Sequence, residues 1–284
     1  MNFVVGSRRF GPDEIALMGV VNVTPDSFSD GGRFLSAERA IEYGLALVSA
    51  GAHVLDIGGE STRPGAESVS EADELARVIP VIEGLRRHSD AILSIDTTKA
   101  AVARAACAAG AGIINDISGL KFEPEIAHVA AEAGASLCLM HIQGEPRTMQ
   151  DRPVYRDVVS DVIEALKASV DTAVTCGVDS ERIIVDPGIG FGKRLADNLA
   201  LIARCGEIGD AVGAPVLMGV SRKSFIGELT GQPVDKREFG TAAAVAVCVI
   251  RGARMLRVHD VAAMRDVVAV TRALTSEMSR VRSR

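Results

Sequence analysis

The sequence predicts a single-domain (β/α)8 barrel, an α/β fold in which eight parallel strands alternate with helices. Eight short apolar runs of strand length, rich in Val, Ile and Leu, each stop at a polar or charged residue. An amphipathic or alanine-rich stretch follows most of them, and this alternation is typical of βαβ units and a parallel sheet. Chemistry in this fold collects at the carboxyl ends of the strands, so the run ends mark the expected site. They are Asn22, Asp56, Asp96, Asn115, His141, Asp186, Ser221 and His259.

The length leaves room for little besides the barrel. The chain has 284 residues, and a complete barrel of this kind typically needs ~250. Residues 1–15 contain two short extended pieces around Gly6 to Gly11, which predict a hairpin that closes the barrel floor. The barrel itself is expected over 16–279, with a flexible basic tail over 280–284.

Helices are predicted between the strands from their periodicity and their end signals. Ser70 precedes three acidic residues, as expected at the start of a helix. Glycines that suit C′ caps follow four apolar helical runs, at positions 51, 110, 134 and 177. The predicted helices cover about 36–50, 70–88, 99–109, 124–133, 157–176, 195–208, 237–251 and 261–279.

Composition excludes several classes of function. The formal net charge is −6, aromatic residues make up 4% of the chain and Trp is absent. These values disfavour nucleic-acid partners and carbohydrate platforms. Because the overall field would repel an anion, an anionic substrate would need a local cluster of cations.

The cysteines and the N-terminus indicate a cytoplasmic protein. Five cysteines, an odd number, are widely spaced and form no C-x-x-C pair, so free thiols in a reducing compartment are expected. The N-terminal sequence lacks the apolar core of a signal peptide, and no apolar run reaches the length of about 18 residues that suggests a membrane span. No membrane partner is therefore expected.

Three strand-to-helix connections are long and lie at the predicted site face: 24–36, 58–69 and 143–156. Long connections in compact domains are usually either functional lids or disordered. Asn22, just before the first, offers a neutral oxygen and an amide donor to a hydrated cation or a phosphate. The alternative is an ordinary turn, since the residues that follow Asn22 all favour turns.

Amide and carboxylate acceptors gather at other strand ends. Asp96, Asn115 and Asp186 together suit a flat, nitrogen-rich ring that presents N–H donors. Alternatively, one or two of them cap the helices that follow. Asp56 with Asp96 and Asp186 could also surround Mg²⁺, although no His-x-His or Glu-x-x-His spacing supports a metal cage built by the protein alone.

Cations cluster at the seventh and eighth strand ends. SRKS and RVHD place Arg222, Lys223, Arg257 and His259 in neighbouring connections, where barrels often bind phosphate. Ser224 is expected to begin a helix. The alternative is a surface charge cluster. Before these, DPGIGFGK is G-x-G-x-G rather than a dinucleotide or P-loop motif, so Phe191 and its glycines are expected to line a pocket.

Eight motifs, in order along nearly the whole chain, resemble those of the bacterial dihydropteroate synthase family. That family also has a (β/α)8 barrel, which agrees with the strand count. The motifs are MGVVNVTPDSFSDGG (18–32), DIGGESTRPGA (56–66), IDTTK (95–99), IINDI (113–117), CLMHIQGEPRTMQ (138–150), DPGIGFGK (186–193), GVSRKSFIG (219–227) and RVHD (257–260).

The resemblance implies a folate-biosynthesis transferase. It would condense 6-hydroxymethyl-7,8-dihydropterin diphosphate with p-aminobenzoate to give 7,8-dihydropteroate and diphosphate, and its p-aminobenzoate site would be the sulfonamide target. It implies Mg²⁺ as cofactor, the two small molecules as partners and a homodimer. The alternatives are a pterin-binding methyltransferase, which needs no diphosphate clamp, and a catalytically silent pterin-binding paralogue.

The resemblance also assigns site residues. The pterin would be bound by Asp96, Asn115, Met140, Asp186 and Lys223. The p-aminobenzoate would be bound by Phe28, Thr62, Arg63, Pro64, Phe191, Ser221 and Ser224. The diphosphate would be bound by Asn22, Arg257 and His259, with Asn22 also on the metal. The catalytic set would be Asp30, Arg63, Lys223, Arg257 and His259.

A dissociative displacement fits this set of residues. Diphosphate leaves more readily when cations meet its developing charge, and Asp30 on a closing loop could steady the electron-poor carbon left behind. No side-chain nucleophile is expected, because neither Ser221 nor Ser224 has a paired base within these motifs.

Overall fold

A computed structural model describes residues 2–24, 32–61, 68–151 and 153–282 of the protein. The strands are β1 (Phe3–Val5), β2 (Arg8–Phe10), β3 (Ala16–Asn22), β4 (Val54–Gly58), β5 (Ile92–Asp96), β6 (Ile113–Asp116), β7 (Ser136–Met140), β8 (Ile183–Asp186), β9 (Leu217–Met218) and β10 (Met255–Val258). The helices are α1 (Gly32–Ala50), α2 (Glu71–His88), α3 (Ala100–Ala109), α4 (Glu125–Ala133), α5 (Val158–Thr175), α6 (Leu195–Ala203), α7 (Cys205–Val212), α8 (Ser224–Thr230), α9 (Glu238–Ile250) and α10 (Val261–Arg282).

The eight strands β3 to β10 form one parallel sheet that closes on itself. Their order is β8-β7-β6-β5-β4-β3-β10-β9. A parallel bridge between Val185 and Val216 joins the two ends, and the Val185 N–H donates to the Pro215 carbonyl at 3.0 Å. The predicted (β/α)8 barrel is therefore confirmed.

The N-terminal hairpin covers the floor of the barrel. β1 and β2 pair antiparallel, and Phe3 lies opposite Phe10 with their rings 5.2 Å apart. Both rings are fully buried in one apolar cluster with residues from the starts of the barrel strands. Ser136 ties the hairpin to β7, because its hydroxyl accepts from the Gly6 N–H and donates to the Val4 carbonyl, both at 3.0 Å. This apolar floor confines any polar site to the upper half of the barrel.

Most predicted helix signals are confirmed. Ser70 is the N-cap of α2 and accepts from the Asp73 N–H at 3.1 Å. The four predicted C′ glycines all have positive φ: Gly51, Gly110, Gly134 and Gly177. Helix α10 continues to Arg282, into the segment predicted as a tail. None of the helices in the described ranges is long and apolar enough to cross a membrane.

The prediction of one helix over 195–208 is wrong, because the chain forms two helices there. Arg204 separates α6 from α7 and adopts φ −118° and ψ 21°, outside the helical region. Just beyond it, Gly206 lies so close to the Arg251 carbonyl that a Cβ would collide with it. The change of direction at Arg204 thus allows α7 to pack tightly against the end of α9.

Candidate active site

A polar layer lies directly above the apolar floor. Side chains two positions apart on a strand point to the same face of the sheet. Each member of the polar layer follows a floor residue of its own strand by two positions, so it also points into the barrel. These members are Asp56, Ser94, Asn115, Asp186 and Arg257.

Asp56 is the centre of the hydrogen bonds in this layer. It is fully buried on β4. One of its oxygens, Oδ1, accepts from the Ser94 hydroxyl at 2.6 Å. The other, Oδ2, accepts from Asn115 Nδ2 at 3.1 Å and from Arg257 Nε at 2.6 Å. Asp56 therefore fixes an amide and a guanidinium side by side.

Arg257 binds two carboxylates at once. Besides Asp56, it contacts Asp96, whose Oδ2 accepts from Nη2 at 2.8 Å. Burial alone would lower the pKa of Arg257, but these two carboxylates outweigh it and raise the pKa. The predicted anion-binding cation therefore lies beside the predicted ring-binding acids.

The acids that face this arginine are hard to ionise. Burial raises the pKa of Asp96 to about 7, although Arg257 opposes the change. Burial also raises the pKa of Asp186, whose Oδ1 accepts from the Gly188 N–H at 2.7 Å. Neither side chain caps a helix in these contacts, so the capping alternative receives no support from them.

An apolar wall that carries a cation lies next to the polar layer, where Met140 pairs with Asp186. Met140 packs in a small buried cluster with Ile117, Ile142 and Met149, and Phe191 lies against it. Lys223 Nζ sits 4.2 Å from the centre of the Phe191 ring, a cation–π distance. Burial lowers the pKa of Lys223 to about 8. This wall suits a flat ring with acceptor atoms at its edge.

Ser221 and His259 form a pair. The Ser221 hydroxyl lies 3.0 Å from His259 Nδ1 and accepts from the His259 N–H at 3.3 Å. The prediction that Ser221 has no paired base is therefore wrong, since the partner comes from a motif 38 residues further on. Because Ser221 contacts both the ring and the backbone of His259, it fixes the orientation of the imidazole.

The SRKS segment is held from α9. Arg222 has a positive φ of 58°, and its N–H donates to Thr241 Oγ1 at 3.0 Å. Arg237 donates to the carbonyls of Arg222 and Lys223 at 3.1 and 3.3 Å. Ser224 is the first residue of α8, as predicted.

A buried lysine supports the G-x-G-x-G segment. Lys193 Nζ lies 3.1 Å from His141 Nδ1 and donates to the carbonyls of His141 and Phe191 at 3.2 and 3.0 Å. Burial lowers its pKa to about 7. Gly188 has φ +72°, and a Cβ there would collide with the His141 carbonyl. Lys193 thus holds the backbone of Phe191 in place.

A metal cage built by the protein alone is not present in the described ranges. No group of three or more His, Cys, Asp or Glu side chains is arranged there to hold a metal ion. Asp56 and Asp96 bind Arg257 instead. Asn22 lies at the end of β3 in register with Gly58, which pairs on its other side with Asp96. Its amide oxygen could add one ligand to a metal carried by an anionic substrate.

Comparison with known proteins identifies the family. A sequence model described as "Pterin binding enzyme" matches residues 18–259. The dihydropteroate synthase of Synechocystis is 50% identical over 259 residues, which are 91% of this chain and 89% of that protein. The chain belongs to the dihydropteroate synthase family.

Solved structures of the family have the same fold. A Yersinia pestis dihydropteroate synthase with a sulfonamide drug has a TM-score of 0.90 and 41% identity. The match covers 97% of this chain and 100% of that one. A Xanthomonas albilineans dihydropteroate synthase with 7,8-dihydropteroate has a TM-score of 0.85 and 42% identity over 96% of this chain and 98% of that one. The resemblance inferred from the motifs is confirmed.

Five of the site residues predicted from the sequence lie outside the residues that the structure describes, so their roles remain predictions. They are Phe28, Asp30, Thr62, Arg63 and Pro64. Two contributors to which the resemblance assigned no role are Lys193 and Asp56, the latter weighed in the sequence only as a ligand of Mg²⁺. The available signal was the same for both: a charged residue inside or directly after a stretch that is otherwise apolar or glycine-rich.

Removing Asp56 should destabilise the folded protein, because Arg257 would keep one carboxylate and Ser94 and Asn115 would lose their acceptor. Asp56→Ala should lower the free energy of unfolding by about 3–5 kcal/mol, as expected for a broken buried ion pair. Urea denaturation measures this change. In an Arg257→Met background, the same substitution should cost at least about 1 kcal/mol less. Strict additivity of the two substitutions would contradict the coupling.

Proposed function

We propose that this protein condenses 6-hydroxymethyl-7,8-dihydropterin diphosphate with p-aminobenzoate, releasing diphosphate and 7,8-dihydropteroate. The observation that carries the proposal is the 2.8 Å contact between Arg257 and Asp96. It brings an anion-binding cation next to an acceptor for ring N–H groups, where the diphosphate and the pterin of one substrate would meet. Family membership and the complexes of the relatives support the same chemistry.

The polar layer would bind the pterin ring. Asp96, Asn115 and Asp186 would accept from the ring N–H and amino groups, while Met140 and Phe191 would pack on its faces. Hydrogen bonds from the ring favour the ionised form of Asp96, so its pKa should fall when the ligand binds. Lys223, held above Phe191, would donate to an acceptor atom of the ring.

Diphosphate would leave toward Arg257 and His259. The bond between the pterin methylene carbon and its oxygen breaks, and the electron pair goes with the diphosphate. The amine nitrogen of p-aminobenzoate then bonds to the methylene carbon and loses a proton to the departing diphosphate or to solvent. Cations placed where negative charge develops lower the barrier to such a cleavage. Asp30 and Arg63 remain in the proposed catalytic set with Lys223.

Mg²⁺ is proposed as the cofactor, with Asn22 as its protein ligand. A single neutral ligand suits Mg²⁺, which usually keeps several waters and reaches proteins together with substrate phosphates. When bound, the ion would neutralise charge on the diphosphate. Phe28, Thr62, Arg63, Pro64, Phe191, Ser221 and Ser224 would bind p-aminobenzoate, and we propose that sulfonamides bind at the same place.

Product assays test the reaction directly. The protein, incubated with the pterin diphosphate, p-aminobenzoate and Mg²⁺, should release diphosphate and dihydropteroate in equal amounts, and release should stop when p-aminobenzoate is omitted. Arg257→Ala should slow release by about 10²–10³-fold, whereas Arg251→Ala, at an exposed position directly after α9, should not.

Release without p-aminobenzoate would indicate a hydrolase instead. Absence of release from a protein that still binds pterin would favour a methyltransferase or a silent paralogue. Either result would overturn the proposed reaction.

Pterin affinity should rise with pH if Asp96 binds as a carboxylate. The pKa of Asp96 is raised to about 7, so its ionised fraction grows between pH 6 and pH 7, where Lys223, with a pKa of about 8, stays mostly protonated. Affinity should then grow by about 5-fold over this range. Calorimetry with a pterin that lacks the diphosphate avoids titration of the phosphates. Asp96→Asn should bind more weakly and lose the pH dependence, and an unchanged pH profile in this variant would contradict the assignment.

A homodimer is proposed through α9 and α10. These neighbouring helices expose apolar side chains, and those of α10 recur every four residues on one face. Several exposed apolar side chains on two neighbouring helices are typical of an interface between subunits. The residues are Phe239, Val247 and Ile250 on α9, and Val270, Leu274 and Met278 on α10.

The dimer proposal is tested by charge placed on this surface. Leu274 is 62% exposed. Leu274→Glu should therefore convert the dimer to a monomer, which analytical ultracentrifugation measures. Val174, on α5, provides the control, because Val174→Glu adds the same charge far from α9 and α10. A monomeric parent protein, or a dimer that persists in Leu274→Glu, would contradict the proposed interface.

The protein is also proposed to work in the cytoplasm. All five cysteines are free, and three of them are buried. Buried free thiols fit a reducing compartment.

A further inference from the structure

Phe191 lies between two glycines in the connection from β8 to α6. Gly190 has φ +83° and Gly192 has φ +63°, both in the left-handed region. Glycine restricts the backbone less than other residues do, so such a segment needs contacts from outside to keep one conformation. The Phe191 ring packs on the small buried cluster around Met140 and lies 4.2 Å from Lys223 Nζ. The backbone on either side of Phe191 therefore decides where this part of the apolar wall lies.

Side chains bind three successive carbonyls of this segment. Gln150 Nε2 donates to the carbonyl of the glycine before Phe191 at 2.6 Å, and the Tyr155 hydroxyl donates to that of the glycine after it at 2.7 Å. The carbonyl of Phe191 itself accepts from Lys193 Nζ at 3.0 Å. The backbone is thus held directly before, at and directly after the residue that carries the ring.

Gln150 and Tyr155 belong to the connection from β7 to α5, which is closed at its base. The side-chain amide of Gln143 donates to the Val154 carbonyl and accepts from the Val154 N–H, both at 2.8 Å. Met149, next to Gln150, is buried in the same apolar cluster as the wall. The two donors are therefore carried by a part of the chain that is itself fixed.

Gln150 and Tyr155 differ from Lys193 because they carry no charge. Burial raises the pKa of Tyr155, so its hydroxyl stays protonated and keeps the hydrogen that it donates. The charge of Lys193, by contrast, also acts on Asp186 and Lys223, to which the proposed function assigns the pterin. Substitution of the neutral pair therefore changes the support of the backbone and leaves the charge of the site unchanged.

We propose that Gln150 and Tyr155 are positioning residues that set the affinity for the pterin ring by holding the backbone of Phe191. This inference rests on the proposed function, in which Phe191 packs on a face of that ring. Both residues act on the backbone that carries the aromatic side chain. Their effect on affinity should therefore disappear when that side chain is removed.

Calorimetry of the double variant Gln150→Leu with Tyr155→Phe tests the proposal. Both substitutions nearly keep the size of the side chain and remove its hydrogen-bond donor. Affinity for a pterin that lacks the diphosphate should fall by about 10-fold, because small misplacements of positioning groups have effects of this size. In a Phe191→Ala background the same two substitutions should change the affinity by less than about twofold, since the ring on which they act is gone.

Gln232→Leu is the matched control. Gln232 is exposed, and its backbone N–H and carbonyl make the hydrogen bonds found for it. Its substitution should leave pterin affinity unchanged. Urea denaturation of each variant separates binding from stability. A lower free energy of unfolding with unchanged affinity in the folded protein, or an equal loss of affinity with and without Phe191, would overturn the proposal.

Tyr155→Phe alone covers the case in which the double variant fails to fold, because it removes a single oxygen atom. Pterin affinity should then fall by about threefold, again only while Phe191 is present. Unchanged affinity in this folded variant would remove the positioning role. The product assay of the parent protein reports on the proposed function separately, because the present test needs only pterin binding.

Discussion

The ion pair between Asp56 and Arg257 is the constraint on which the rest of the site depends. A guanidinium inside a barrel must be neutralised where it lies, because an unpaired buried charge costs several kcal/mol. Asp56 is fully buried and supplies that charge from β4, which lies on the other side of β3 from β10, with Arg257 Nε 2.6 Å from its Oδ2. The same carboxylate accepts from Ser94 and Asn115. One acid thereby fixes the positions of both a cation and an amide that the proposed function assigns to substrate.

The two-residue period of the strands explains why this polar layer lies where it does. Floor residues such as Val54 and Met255 are fully buried in an apolar cluster closed by the N-terminal hairpin. The next inward positions on those strands are Asp56 and Arg257. Without the apolar floor, water would reach the ion pair from below and weaken its electrostatic interaction. The hairpin therefore contributes to the chemistry of the site from the opposite end of the barrel.

The fold and the positions of Asp96, Asn115, Asp186 and Lys223 could be predicted from sequence, because strand ends in a parallel barrel meet at one face whatever their side chains do there. Side-chain pairings could not. Nothing local in RVHD shows that Arg257 binds Asp56, which belongs to a motif about two hundred residues earlier in the chain. The pairing of Ser221 with His259 likewise joins residues that follow different strands. The break at Arg204 was missed because the apolar periodicity continues through it, while the close approach of Gly206 to Arg251 is a tertiary contact. Lys193 looked like part of a glycine-rich motif, and only the fold shows that it supports Phe191.

The pairing of Arg257 with Asp96 also has a consequence for how one substrate would be recognised at both ends. In this structure, Arg257 and Asp96 each use on the other the hydrogen-bonding capacity that the proposed function assigns to substrate. A pterin that takes the Asp96 oxygen leaves Nη2 of Arg257 in need of an anion, and a diphosphate that takes Nη2 leaves Asp96 in need of a donor. Each half of the substrate thus makes the site more favourable for the other half. A substrate that carries both the pterin and the diphosphate provides partners for Asp96 and Arg257 at once. A pterin or a diphosphate alone breaks their ion pair and provides a new partner for only one of them. Under the proposed function, selectivity for a pterin joined to diphosphate would follow from this exchange of partners, with Asp56 keeping Arg257 in place throughout.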